Sequence, residues 1–223
     1  MSTVAWRPEL IKDLFITDSV SEAGIYHIKL YIRGKPWLVE VDDEMLFLKG
    51  DGNTEKTGSF RDRIYSTDNL RYNKFDKKSN SLWAPLLQKA AAKVKGNYEN
   101  LLAGIPENSL RLLTGAPAWH YVVSELHDDS IWDYIKSGID SHYLIMAGTD
   151  GYENACGVRP AHSYSIFSAF FLKDKYGNVK HKMLMMRDPT GEATYSDQWN
   201  NYDKRSWTPF YSKQVPYGID PLR

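Results

Sequence analysis

The chain has 223 residues, 42% hydrophobic and 25% charged, enough for one large or two small domains with a full core and no need of disulfides or metals. Lys plus Arg and Asp plus Glu are each 28, so the formal net charge is zero with no basic block, which excludes a phosphate-tracking surface and argues against nucleic acid as a partner. The apolar runs are too short to span a bilayer, the N-terminus lacks a charged-then-apolar signal pattern, and the sole cysteine, Cys156, excludes an internal disulfide, all pointing to an intracellular setting, cytoplasmic or cytoskeletal.

Gly24 to Ile32 alternates, with Tyr26, Ile28, Leu30 and Ile32 on one face. Arg33-Gly34-Lys35-Pro36 then predicts a turn into a second strand carrying Trp37, Val39 and Val41. The acidic run Asp42-Asp43-Glu44 reads as the end of this hairpin rather than as a metal site. Between Phe47 and Asn80 the sequence is polar and rich in Gly, Asp, Asn and Lys, which predicts a long loop. From Ser81 the period changes: Leu82, Leu86, Ala90 and Val94 form a helical stripe with Trp83 and Leu87 beside it. Ser81 can cap that helix, Pro85 is tolerable in its first turn, and Gly96 stops it. Short helices are expected around Tyr98–Leu102, over Pro106–Leu113 and over Ser130–Ser137, with Thr114-Gly115-Ala116-Pro117 as a domain hinge.

The last third reverts to strands. His162 to Leu172 is nearly continuous in apolar and small residues, Lys173 to Asn178 makes a loop, and Val179 to Arg187 returns. If that loop centres near Lys175, His162 and Asp188 lie opposite one another at the open end of the hairpin. Facing residues of an antiparallel ladder have Cβ atoms roughly 4.5–5.5 Å apart, so an imidazole and a carboxylate would stand side by side. A one-residue slip of register would spoil the match. His120, His127, Asp128 and Asp129 fit no specific metal-ligand spacing and read as surface.

Several segments resemble the calpain family of papain-like cysteine peptidases. Gly24-Ile25-Tyr26 followed by Trp37-Leu38-Val39-Glu40-Val41-Asp42-Asp43 resembles the family hairpin "GIY…W…V.VDD". The run from Leu82-Trp83 through Gly96-Asn97-Tyr98-Glu99 is similar to "LW..LLEKAYAKLHGSYE", and Leu113-Thr114-Gly115-Ala116 to "LTGG" at the hinge between the halves of the protease core. Gly157-Val158-Arg159-Pro160-Ala161-His162-Ser163-Tyr164-Ser165 resembles "GLV.GHAYS", which gives His162 the place of the catalytic histidine. Arg187-Asp188-Pro189-Thr190-Gly191 resembles "RNPWG", which gives Asp188 the place of the asparagine that orients the imidazole. Tyr195-Ser196-Asp197, then Trp199 and Trp207, is similar to "WSD…W".

The resemblance implies an α+β, papain-like core. Residues 1–115 would be a remnant of the first calpain subdomain, and 116–223 the second, short at its C-terminal end. The departures bear on activity. No "QG..GDCW" element, which carries the family's nucleophile and an oxyanion-hole glutamine, stands in residues 1–23. Acyl transfer of this kind needs an activated thiolate and donors aimed at the oxyanion, so the expectation is a domain inactive by itself that binds proteins as a scaffold. The alternative is a fragment or split subunit of an active calcium-dependent endopeptidase, completed by a Cys-containing half-domain. A non-proteolytic enzyme built on Cys156 and His162 would need a different geometry, and Cys156 reads as a plain reduced thiol. No cofactor is expected from the residues. By resemblance calcium is conceivable, but Ser81 stands where the family has a glutamate ligand, and of the second site only Asp197 remains. Thr190 in place of a tryptophan is expected to let water reach the His162–Asp188 pair. Apolar faces at Leu82, Leu86, Ala90 and Val94, at Ile166 to Phe171, and at Trp199 and Trp207 are expected to be uncovered and to favour association, unless local loops or the tail Pro209 to Pro221 fold over them.

Overall fold

A computed structural model describes residues 1–48, 55–59, 81–101, 104–152, 156–192 and 194–222. The chain opens on two short helices, α1 (Ser2–Ala5) and α2 (Pro8–Leu14). Ile11 and Leu14 of α2 are buried, and Phe15 forms an isolated antiparallel bridge to Ile28. Strand β1 (Ile25–Ile32) buries Tyr26, Ile28 and Leu30, as the alternation requires. It pairs with β2 (Lys35–Asp42) in a register that sets Ile32 against Lys35. The turn is therefore two residues, shorter than the four expected. Arg33 (φ 51°) and Gly34 (φ 75°) both take positive φ, the tight hairpin geometry that matches strand twist, while Lys35 and Pro36 join the strand.

The reading of Phe47 to Asn80 as one loop is corrected in part. Strands β3 (Glu44–Leu48) and β4 (Glu55–Ser59) pair antiparallel, Glu44 against Ser59, and the remainder of that range lies outside the described residues. Helix α3 (Trp83–Lys95) buries Pro85, Leu86, Leu87, Ala90 and Ala92. Its N-cap is Leu82 with no side-chain capping bond, so Ser81 does not play the expected part, while Gly96 (φ 100°) ends the helix as foreseen. The ammonium of Lys89 binds the Asp42 carboxylate and the Glu44 carbonyl, and Lys93 Nζ donates to the Glu40 carbonyl at 2.6 Å. The Asp42 carboxylate and the Glu44 carbonyl thus help fix the helix to the hairpin.

A single 3-10 turn, Glu99–Leu101, stands where a short helix was expected; Leu102 lies outside the described residues. Helix α4 (Pro106–Thr114) starts on a proline and ends on Gly115, left-handed at φ 69°. A Cβ at Gly115 would sit 2.5 Å from the Tyr31 ring, so both the turn and the close approach require glycine. The chain divides into two compact units, Thr3–Trp119 and His120–Arg223.

In the second unit α5 (Asp128–Asp140) extends beyond the expected Ser130–Ser137 at both ends. It is followed by a three-stranded antiparallel sheet in the order β5 (Ile145–Gly148), β6 (Ser163–Lys173), β7 (Val179–Arg187). β6 is central and buries every residue from Tyr164 to Ala169. Trp132 of α5 meets Phe171 with ring centroids 5.2 Å apart on one face. On the other face Leu172 packs with Trp207 and Val215 of the C-terminal segment, joined by Phe170, Met183, Met185, Trp199 and Tyr211. That segment contains α6 (Pro209–Ser212), capped by Thr208. Asp203 ties it together: its carboxylate is held down to about 2 by the Ser206 hydroxyl first and then by the N–H groups of Trp199, Ser206 and Arg205.

The expectation of uncovered apolar faces is overturned at most of its residues. Leu86, Ala90, Ile166, Phe167 and Trp207 are buried: α3 packs on the β1–β2 hairpin, and Trp207 of the tail packs on Leu172 of β6. Leu172→Ala should therefore cost about 2–5 kcal/mol, read as a lower urea midpoint, whereas Leu38→Ala on the exposed side of β2 should stay within about 0.5 kcal/mol. Asp203→Asn should lose stability only above the pH at which the native carboxylate titrates. The unfolded group binds its proton at the ordinary value of 3.8 and the folded one only near 2. The stability difference between variant and parent should accordingly shrink as pH falls through that window.

Candidate active site

The ladder between β6 and β7 is offset from the one expected. Its turn runs from Asp174 to Asn178, with Asp174 N–H donating to the Asn178 carbonyl at 2.9 Å. Ser165 faces Arg187 and Phe170 faces Met183, and the register shifts between Ile166 and Ser168. Extending the ladder by one residue sets Asp188 opposite Tyr164, not His162. His162 lies diagonally across, on the same face as Tyr164, whose ring meets the imidazole edge-on at 5.1 Å. Both side chains are long enough for the diagonal: His162 Nε2 and Asp188 Oδ1 are 2.8 Å apart.

His162 is fixed from its other side by the continuation of the β5–β6 ladder. Its N–H donates to Thr149 Oγ1 at 3.0 Å, and its carbonyl accepts from Thr149 N–H at 2.9 Å. Just before it, Ala161 takes φ 47°, a left-handed conformation that costs a residue with a side chain more than it would cost glycine. Farther upstream Gly157 (φ 74°) passes so close to the chain at Thr194 that a Cβ would lie 2.3 Å from that carbonyl oxygen.

Asp188 is only 7% exposed and accepts from four directions. Oδ1 takes His162 Nε2, Thr190 N–H and Thr190 Oγ1, the last two at 2.8 Å, and Oδ2 takes Arg159 Nε at 3.1 Å. Burial pushes this carboxyl up, but the Thr190 N–H, His162 and the Thr190 hydroxyl outweigh it and hold the group below the ordinary aspartate value. An ionised carboxylate only accepts, so the proton of the bond belongs to Nε2 and the lone pair of the neutral ring is on Nδ1. The arrangement can do one thing chemically: hold an imidazole in a single tautomer with Nδ1 ready to take a proton. Thr190 does not open Asp188 to water as expected, since it bonds the carboxylate twice.

Other residues singled out in the sequence stand apart from this pair. The Cys156 carbonyl accepts from Ser196 N–H at 2.8 Å. Asp197 shapes its own turn, its carboxylate accepting from Gln198 N–H and its carbonyl from Asn200. Among the described residues no three His, Cys, Asp or Glu side chains form a group that could hold a metal ion. Asp129 pairs with Lys182 at 3.1 Å, and no described helix is long and apolar enough to cross a membrane. Arg159, Thr149 and Glu192 were missed by the sequence reading because nothing in an irregular segment signals where a long side chain will reach.

The calpain family cysteine protease profile matches residues 1–215. This chain belongs to the calpain family. It is 25% identical over 221 residues to the calpain-type cysteine protease ADL1 of Oryza sativa subsp. japonica, covering 93% of this chain and 9% of the relative. It is 23% identical over 186 residues to calpain-9 of Rattus norvegicus (80% of this chain, 24% of the relative). To the calpain-1 catalytic subunit of Rattus norvegicus it is 25% identical over 206 residues (86% and 25%). The chain therefore spans under a tenth of the plant relative and about a quarter of these animal calpains.

Because the folded Asp188 carboxyl lies below its unfolded value, the unfolded state binds more protons in that window, and the stability Asp188 contributes is lost as pH falls through its folded pKa. Asp188→Asn should flatten the acid limb of a stability-versus-pH curve. Parent and variant should differ most near neutral pH and converge in acid, as followed by urea unfolding.

Proposed function

We propose that these 223 residues carry the acid–base half of a calpain-type active site, and that by themselves they bind protein or peptide without cleaving it. The observation that carries this reading is the 2.8 Å bond from His162 Nε2 to Asp188 in a chain whose one cysteine, Cys156, stands outside any "QG..GDCW" element. In this reading His162 occupies the place of the general base and Asp188 that of its orienting partner. Residues 1–115 and 116–223 correspond to parts of the two core subdomains, and the setting is intracellular, cytoplasmic or cytoskeletal. Nδ1 is left to receive a proton, but hydrolysis also needs a thiol within reach of it and donors for the oxyanion.

A second reading is favoured by the same geometry. A scaffold has no use for a single imidazole tautomer, and a His162 held this way fits one part of a split or fragmented calcium-dependent endopeptidase that a separate Cys-bearing half-domain completes.

Peptide turnover separates the readings. The chain alone should hydrolyse neither casein nor fluorogenic peptides, with or without millimolar calcium, while retaining casein peptides in an anisotropy titration. Calcium-dependent turnover that survives Cys156→Ser would overturn the non-cleaving reading. Turnover that appears only on adding a separately expressed Cys-bearing calpain half-domain, and disappears with His162→Ala, would establish the second.

A further inference from the structure

Arg159 stands on the same segment as His162, and both of its backbone groups are fixed by the pair's neighbours. Its N–H donates to Tyr164 Oη at 2.9 Å, and its carbonyl accepts from Thr149 Oγ1 at 2.6 Å. Tyr164 lies edge-on to the His162 ring, and Thr149 binds the His162 backbone. The guanidinium reaches across to two carboxylates, Asp188 Oδ2 through Nε at 3.1 Å and Glu192 Oε2 through Nη2. Those partners are unequal: the Glu192 side chain is 71% exposed and that of Asp188 is 7% exposed. A surface pair contributes little, whereas a buried carboxylate without a countercharge is expensive. The Asp188 arm is the one that matters.

We propose that Arg159 is a positioning residue for His162: its guanidinium supplies the countercharge that lets a buried carboxylate, Asp188, stand in the orienting place and stay aimed at Nε2. This rests on the reading of His162 and Asp188 as the inherited acid–base pair. A neutral amide at that place would need no such partner. In this chain the carboxylate and the arginine occur together, at the two motif positions that resemble the family's asparagine and valine. Arg159 and Asp188 therefore act as one unit. Neither Thr190 bond replaces the guanidinium, because both fall on Oδ1 and leave Oδ2 to Arg159. Lysine is a point charge without the planar fork that spans two carboxylates, so it can serve only one of them.

The test is a double-mutant cycle on the full chain near pH 8, with two readouts: the urea midpoint, and the His162 Nε2–H signal of 15N-histidine-labelled protein, assigned by its loss in His162→Gln. Asp188→Asn is expected to lower the midpoint in the parent but to raise it in Arg159→Val, a reversal of sign. Arg159→Val is expected to broaden or lose the His162 N–H signal, and Arg159→Val combined with Asp188→Asn to restore it; Arg159→Lys should keep part of it. If Arg159→Val does not fold, recovery of folded protein on adding Asp188→Asn reports the same reversal. Additive midpoints, or an N–H signal that survives Arg159→Val unchanged, would overturn the role of Arg159 and leave the pair standing. A signal unchanged in Asp188→Ala would overturn the pair itself, and Arg159's role with it.

Discussion

A carboxylate taken almost wholly out of water must be surrounded by donors, and the open end of the β6–β7 hairpin is organised around that requirement. Four donors converge on Asp188, and each comes from a segment whose path is fixed for other reasons. His162 is delivered by the β5–β6 ladder, Thr190 by the turn that follows β7, and Arg159 by a backbone pinned to Tyr164 and Thr149. Removing one donor leaves the carboxylate underserved and releases the ring that depends on it. The order of dependence runs from sheet register to carboxylate to imidazole.

Calpain membership stands beside a definite geometry in the second unit, an imidazole bonded to a buried carboxylate. In thiol-dependent acyl transfer an oriented imidazole is an accessory, since the electrons that attack the carbonyl come from the thiolate. The sheet that holds the ring is complete in its packing, with β6 buried on both faces and the tail closing over it.

The strands that were legible in the sequence are those that run for eight residues or more. β1 announces itself by alternation, β6 and its return β7 through a nearly continuous apolar run and the loop after it, and α3 through its stripe of Leu86 and Ala90. β4 spells Glu-Lys-Thr-Gly-Ser and offers no alternation, and β5 has four residues, fewer than any period needs. The site was legible as a pair but not as a geometry. The loop centres near Tyr176 and not Lys175, an offset that leaves no mark in composition, and it moves the partner of Asp188 from His162 to Tyr164. The contact survived because a diagonal neighbour is still within reach of an imidazole. Uncovered faces were expected because sequence periodicity shows that a face is apolar but not what will lie on it; Trp207 and Val215 come from a stretch with no regular period of its own.

Among the described residues β7 is the outer strand of its sheet, nine residues long, with the tail over one face and α5 reached by Lys182 on the other. A strand of that length, facing outward, is a template on which a second chain could lay down its own backbone, which is the first step of ordered aggregation. On the face away from the tail its side chains are Lys180, Lys182, Leu184 and Met186, and the two lysines are about half exposed. Both are ion-paired, Lys180 with Asp174 at 3.5 Å and Lys182 with Asp129 at 3.1 Å, so a copy stacking here would have to take those charged pairs out of water, a cost that works against stacking. These lysines therefore act as gatekeepers of colloidal behaviour, and exchanging both for apolar residues would make concentrated solutions prone to form fibres.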